Sequence, residues 1–147
     1  APVAFRQQPM VPFRDRQFQA LAGGVLDEAL SEPRFSALIA GIADHSPYLW
    51  RLISADPARL ARLAQEDPAD SLQRILATAR AQTRHAGDEQ EAMAALRRAK
   101  QETALAIALA DIGGLWDVMR VTQALTQFAD CMVSCALSYL LREAAAS

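Results

Sequence analysis

Apolar residues recur three and four positions apart over long stretches of this chain, the period of a helix with one buried face. The pattern is clearest in the second half. Met93, Leu96, Ala99, Thr103, Ile107 and Ala110 form one stripe, which predicts a helix of roughly 24 residues, about 36 Å long. Asp88 and Glu91 stand in capping-box spacing at its start, and Gly113-Gly114 closes it. A second stripe runs through Val118, Val121, Leu125, Phe128, Met132, Cys135 and Tyr139. Its mean spacing of about 3.5 residues is the coiled-coil value. Two long helices packed antiparallel at a shallow angle are therefore expected, with Ala94, Ala95, Ala104, Ala106 and Ala108 allowing close approach.

The first half is punctuated by proline. All seven prolines lie at or before Pro68. Ser46-Pro47, Asp56-Pro57 and Asp67-Pro68 each place a capping residue before a proline, which loses no hydrogen bond at the first helical position and has its φ preset. With Pro33, these pairs predict short helices over Phe13–Leu30, Pro33–Asp44, Pro47–Ser54, Pro57–Gln65 and Pro68–His85, the first bent at Gly23-Gly24. The reading is one all-α domain: an extended tail over 1–12, short helices over 13–86, and a long helical hairpin over 87–147.

Composition agrees with that class. Ala and Leu supply 49 of 147 residues, against 17 for Val, Ile and Thr together, a balance that favours helix over sheet. A formal net charge of −2 gives no broad electrostatic footprint for nucleic acid. The longest unbroken apolar run, Ala104–Ala110, is far shorter than the ~20 residues of a membrane span, so no membrane partner is expected. Two cysteines make no disulfide framework, and a reducing cytoplasm is the expected compartment. The start at Ala1 and the lack of a stop signal before Ser147 fit a segment of a longer chain.

The residues offer no catalytic constellation. Cys131 and Cys135 share one face of the last helix, but zinc takes four ligands, or three and a water, and the histidines lie elsewhere. His45 and His85 fall at helix ends, where they meet the last carbonyls. Asp111, Asp117 and Asp130 are not brought into one coordination sphere by their spacing, and Asp117 suits a helix cap. Phe35, Tyr48, Trp50 and Trp116 read as seals on the core, and Arg59 with Arg62 forms only a sparse basic pair. Arg97, Arg98 and Lys100 form the one dense basic cluster. It is the candidate partner-facing surface, for a phosphate or an acidic protein. No catalytic, cofactor-binding or metal-ligating residue is assigned.

Within Leu96–Ala145 the pieces LRRAKQ, ALADIGG, WDVMRVTQALTQFAD and YLLREAA resemble the N-terminal region of the bifunctional glutamine synthetase adenylyltransferase/deadenylylase family. The earlier FSALIAGIADHSPYLWRLISADP fits the same pattern, so the resemblance spans roughly Phe35–Ala145. It implies a parent nucleotidyltransferase that uses Mg²⁺ and ATP, acts on glutamine synthetase and answers to PII signal proteins. In that family a glycine- and lysine-rich loop and an Asp-x-Asp pair carry the chemistry, and they follow a helical segment like this one. Neither motif occurs in these 147 residues. The resemblance therefore implies a non-catalytic, monomeric helical piece without a cofactor of its own, supporting an adjacent deadenylylation domain. The rival expectation is a free-standing helical interaction module.

Overall fold

Proline sets the starts of four consecutive helices in the computed structural model, which describes residues 26–147. The expected tail over 1–12, the 13–25 part of the first helix and its Gly23-Gly24 bend lie outside the described residues. A short helix α1 (Asp27–Leu30) is followed by α2 (Pro33–His45), α3 (Pro47–Ala55), α4 (Pro57–Gln65), α5 (Pro68–Arg84), α6 (Glu89–Ile112) and α7 (Val118–Ala146). Among the described residues there are seven helices and no strand, so the all-α class is what the structure shows.

Every start after α1 is chemically specified. Ser46 Oγ, Asp56 Oδ1 and Asp67 Oδ1 accept from the backbone N–H groups of Leu49, Arg59 and Ala69, filling donors that a helix N-terminus leaves free. Glu32 caps α2 in the same way, accepting from Arg34 and Phe35 at 3.2 and 2.7 Å, although its longer side chain is not a favoured cap. At α6, Asp88 accepts from Glu91 N–H at 2.8 Å. The Glu91 carboxylate reaches back one residue beyond the cap, to Gly87 N–H at 2.7 Å.

The turn between α6 and α7 needs its glycines for two separate reasons. Gly114 has φ +73°, where a β-carbon is strained. A β-carbon on Gly113 would stand 2.5 Å from the Leu109 carbonyl oxygen. Asp117 then caps α7 by accepting from Arg120 N–H at 2.8 Å, as the sequence predicts.

Two hydrophobic clusters form the interior. The larger joins the short helices to the long ones through Leu26, Ile39, Ile53, Leu60, Ile75 and Leu105. The smaller lies between α5, α6 and α7 and holds Leu72, Leu76, Ile107, Ala124, Cys131 and Cys135. Both long helices pack on α5 as well as on each other. The α7 chain runs alongside α5: Cys131 Sγ lies 3.9 Å from the Leu76 carbonyl oxygen, and Arg142 at the far end donates to the Arg84 and Ala86 carbonyls.

The expected packing faces need correction at particular residues. Ala99, Thr103, Ile107 and Ala110 are buried, but Met93 is half-exposed and Ala92 and Ala95 are buried beside it. On α7 the buried row is Ala124, Cys131, Cys135 and Tyr139. Leu125 and Val118, placed in the seam from sequence, stand outside it at 51% and 77% exposure. The small side chains of Ala124 and Cys131 let α7 approach its neighbours closely, and the bulky residues beside them turn outward.

Candidate functional site

A partly buried network of charged side chains ties three helices together. Arg74 on α5 donates through Nε to Glu66 at 3.0 Å and through Nη2 to Glu102 on α6 at 2.8 Å. Arg62 on α4 lies 3.5 Å from the same Glu102 carboxylate, and Ser71 donates to Glu66 at 2.8 Å. Burial alone would raise the Glu66 pKa. The bonds from Ser71 and Arg74 and the charges of Arg74 and Arg62 outweigh it and hold the carboxyl below its usual range. For Arg74 burial works the other way, and its bonds to Glu102 and Glu66 raise its pKa. These partners are far apart in sequence, and only the fold brings them together.

Glu66 and Glu102 therefore converge on a guanidinium, not on a site open to a cation. Among the described residues no three His, Cys, Asp or Glu side chains stand close enough to hold a metal ion. The described residues thus gather no acidic set that would fit Mg²⁺. Cys131 and Cys135 are both buried and reduced, their sulfurs 3.9 Å apart. Burial and the neighbouring thiol raise the pKa of Cys131, the opposite of what a nucleophile or metal ligand requires.

The remaining sequence candidates also settle into place. His45 ends α2, and His85 caps the C-terminus of α5, its backbone N–H bonded to the Ala81 carbonyl. Asp111 and Asp130 are exposed, and Asp117 is a cap. Phe35 and Trp50 pack against the larger cluster and Trp116 against the smaller. Trp116 also lies under the Arg120 guanidinium at 4.4 Å, while Tyr48 is half-exposed. Arg59 is buried beside Asp56, whereas Arg62 belongs to the network above. Arg97, Arg98 and Lys100 are all exposed on α6. At ~100° per residue they splay around the helix, and Arg98 is tied to Gln82 on α5 at 3.3 Å.

The surface that sequence reasoning missed is the outer face of α7. Val133, Leu137, Leu140 and Leu141 are 67%, 54%, 60% and 61% exposed, and Val118 and Met119 extend the face toward the start of the helix. Soluble monomers seldom leave contiguous apolar surface of this kind uncovered. The signal was present as a second apolar row, opposite the buried one, with the helical spacing of Val133, Leu137 and Leu140. By length and composition α7 is also apolar enough to cross a membrane. The short Ala104–Ala110 run does not reveal this, because Thr, Ser and Gln interrupt the α7 rows. A second feature, a cleft of about 790 Å³, lies between α2, α4 and α6 and is walled by Phe35, Leu38, Ile42, Leu63 and Leu109.

Comparison with known proteins adds the context. The family model for glutamate-ammonia ligase adenylyltransferase matches residues 36–147. The bifunctional glutamine synthetase adenylyltransferase/adenylyl-removing enzyme of Bradyrhizobium diazoefficiens is 50% identical over 121 residues, 82% of this chain and 12% of the relative. The proteins of the same name from Rhodopseudomonas palustris and Xanthobacter autotrophicus are 49% and 44% identical over 126 and 127 residues. Each match covers 86% of this chain, and 13% and 12% of the respective relative. The chain thus corresponds to about an eighth of the length of these relatives. No solved structure matches it.

Proposed function

The chain belongs to the glutamate-ammonia ligase adenylyltransferase family, and from that premise we propose that it is a non-catalytic helical support within an enzyme that adds AMP to glutamine synthetase and removes it. In this reading the parent is a cytoplasmic nucleotidyltransferase that uses Mg²⁺ and ATP on domains other than this one. Glutamine synthetase is its protein substrate and a PII signal protein its regulator. The two long helices act as one antiparallel hairpin braced on α5, and the segment by itself is monomeric and inactive.

One observation carries the proposal: α7 presents an apolar face that nothing in the described residues covers, in a segment whose relatives are about eight times longer. The occupant of that face is the remainder of the parent polypeptide, the adjacent deadenylylation domain. A rigid block suits this task, because nucleotidyl transfer depends on the placing of charged groups. Six helices with side-chain caps and a partly buried ion network supply that rigidity.

The test is Leu137→Asp with Leu140→Asp, introduced both into this chain and into the full-length parent. In the chain alone both positions face solvent, so the melting temperature should stay within a few degrees of the unsubstituted chain. In the parent the same pair would bury two charges, cost several kcal/mol and sharply reduce the removal of AMP from adenylylated glutamine synthetase. An unaffected parent overturns the proposal. A chain that dimerises by sedimentation, or binds phosphatidylcholine/phosphatidylglycerol vesicles, and loses that property on substitution assigns the face to a second copy or to a membrane instead. Either result also overturns it.

A further inference from the structure

A different part of the molecule, the groove between α5 and α7, carries an inference independent of the parent's architecture. The groove has a volume of about 260 Å³, and Arg80, Arg84, Ser134, Ser138, Tyr139 and Arg142 contribute to its walls. No Asp or Glu lines it. Arg80 and Arg84 are one turn apart on α5, and Ser134 and Ser138 are one turn apart on α7. Because α5 and α7 run side by side in the same direction, the two pairs stand opposite each other at matching heights.

Three other arginines of the molecule are already engaged. Arg62 and Arg74 are committed to Glu66 and Glu102. Arg142 is fixed in place, donating to the Arg84 and Ala86 carbonyls and stacking 5.2 Å from the Tyr139 ring centroid. The guanidinium groups of Arg80 and Arg84 enter none of the ion pairs or hydrogen bonds among the described residues, and neither do the hydroxyls of Ser134 and Ser138. The carboxylates of Glu143, Glu89 and Asp88 act on Tyr139, at the Arg84 end of the groove and away from Arg80 and Ser134. Arginine only donates hydrogen bonds, and a serine hydroxyl readily does so. The free groups of the groove are thus two guanidinium forks and two hydroxyls facing one small space.

From this juxtaposition we propose that the groove binds a phosphate-type oxyanion, held between Arg80 and Arg84 on one wall and Ser134 and Ser138 on the other. A guanidinium fork matches two oxygens of a phosphate, and hydroxyls across the groove reach the remaining ones. The volume suits a phosphoryl group and falls below the ~300–1,000 Å³ typical of pockets that enclose drug-sized ligands. The ligand is therefore inorganic phosphate or the phosphoryl end of a molecule that extends out of the groove.

The experiment is an amide-shift titration of the 147-residue chain by NMR with sodium phosphate, and separately with phosphoserine, at constant ionic strength set with chloride. Saturable shifts are expected at residues 80–84 and 134–138. Arg80→Gln with Arg84→Gln should weaken binding about tenfold or more, and Ser134→Ala with Ser138→Ala should weaken it less. Both double variants should keep the parent melting temperature, since all four side chains face solvent or the groove. Tighter binding of phosphoserine identifies a phosphomonoester as the ligand, and equal or weaker binding identifies the free anion. Shifts that fail to saturate, that chloride reproduces, or that survive unchanged in the folded arginine double variant overturn the proposal.

Discussion

The two long helices are alike in length and richness in apolar residues, yet they are used in opposite ways. Helix α6 buries nine of its 24 residues, on more than one face, whereas α7 buries four of its 29. The outward residues of α6 include Arg97, Arg98, Lys100 and Asp111, while those of α7 include Val133, Leu137, Leu140 and Leu141. The difference lies in the neighbours. Helix α6 has α3, α5 and α7 against it, and α7 has α5 and α6 on one side only. Apolar content sets how much surface a helix can bury, but the number of packed flanks decides how much it does bury. A helix with one covered flank and two apolar rows is a helix with an interface still to make.

The sharpest way to break this comparison is to truncate one leucine on each helix. Leu105 on α6 is fully buried in the larger cluster. Leu105→Ala removes packed methyl groups and leaves a cavity, and should cost ~2–5 kcal/mol. Leu137→Ala on the outer face of α7 should change stability by less than ~0.5 kcal/mol. Urea unfolding of the two variants, followed by circular dichroism, measures both numbers. Equal losses would show that α7 is covered in the isolated chain.

Much of the fold was legible because its local signals are chemical. Ser46, Asp56 and Asp67 before prolines mark helix starts, and the observed helices begin at Pro47, Pro57 and Pro68. The seam of α7 was not legible in the same way. Its helix carries two apolar rows, and the period alone does not say which one meets α5. The stripe read from spacing placed Cys135 and Tyr139 in the seam, as the structure does, but also Val118 and Leu125, whereas close approach selected Ala124 and Cys131. The Glu66–Arg74–Glu102 network lay further from view, since Arg74 and Glu102 are 28 residues apart. For the same reason the dense cluster Arg97, Arg98 and Lys100 drew attention in the sequence, while Arg80 and Arg84, spaced by one turn, gained a shared space only through the position of α7.

A smaller effect sharpens the contrast between the buried and open flanks of α6. Its flank toward α4 and α5 is held by charge, and that hold depends on pH. The folded Glu66 carboxyl titrates below its usual range, so its contribution is fully present above the unfolded pKa of about 4.3. It is lost as pH falls through the folded value. Glu66→Gln should therefore be less stable than the unsubstituted chain at pH 7, by up to ~1 kcal/mol for a partly exposed pair. The gap should close as pH falls from about 5 toward 3. Thermal melts of both proteins across that range are the check, and a gap independent of pH would show that Glu66 acts by packing alone.

The smallest expected effect separates the two apolar rows of α7 directly. Leu125 sits next to Ala124 in sequence, so a helix rotated by one residue position would bury it and expose the alanine. In the structure Ala124 is fully buried and Leu125 is half-exposed. A carboxylate at position 125 can keep its water, because the Leu125 side chain already reaches solvent. Leu125→Asp should cost less than ~1 kcal/mol, in the range of surface substitutions that lose a little apolar contact. The same substitution in a helix packed through Leu125 would force an unpaired charge into the interior and cost several kcal/mol. Chemical denaturation of this one variant distinguishes the two registers. A loss of several kcal/mol would move the seam toward Leu125 and Val118 and turn Ala124 and Cys131 toward solvent, leaving Val133 nearer to cover than it stands here.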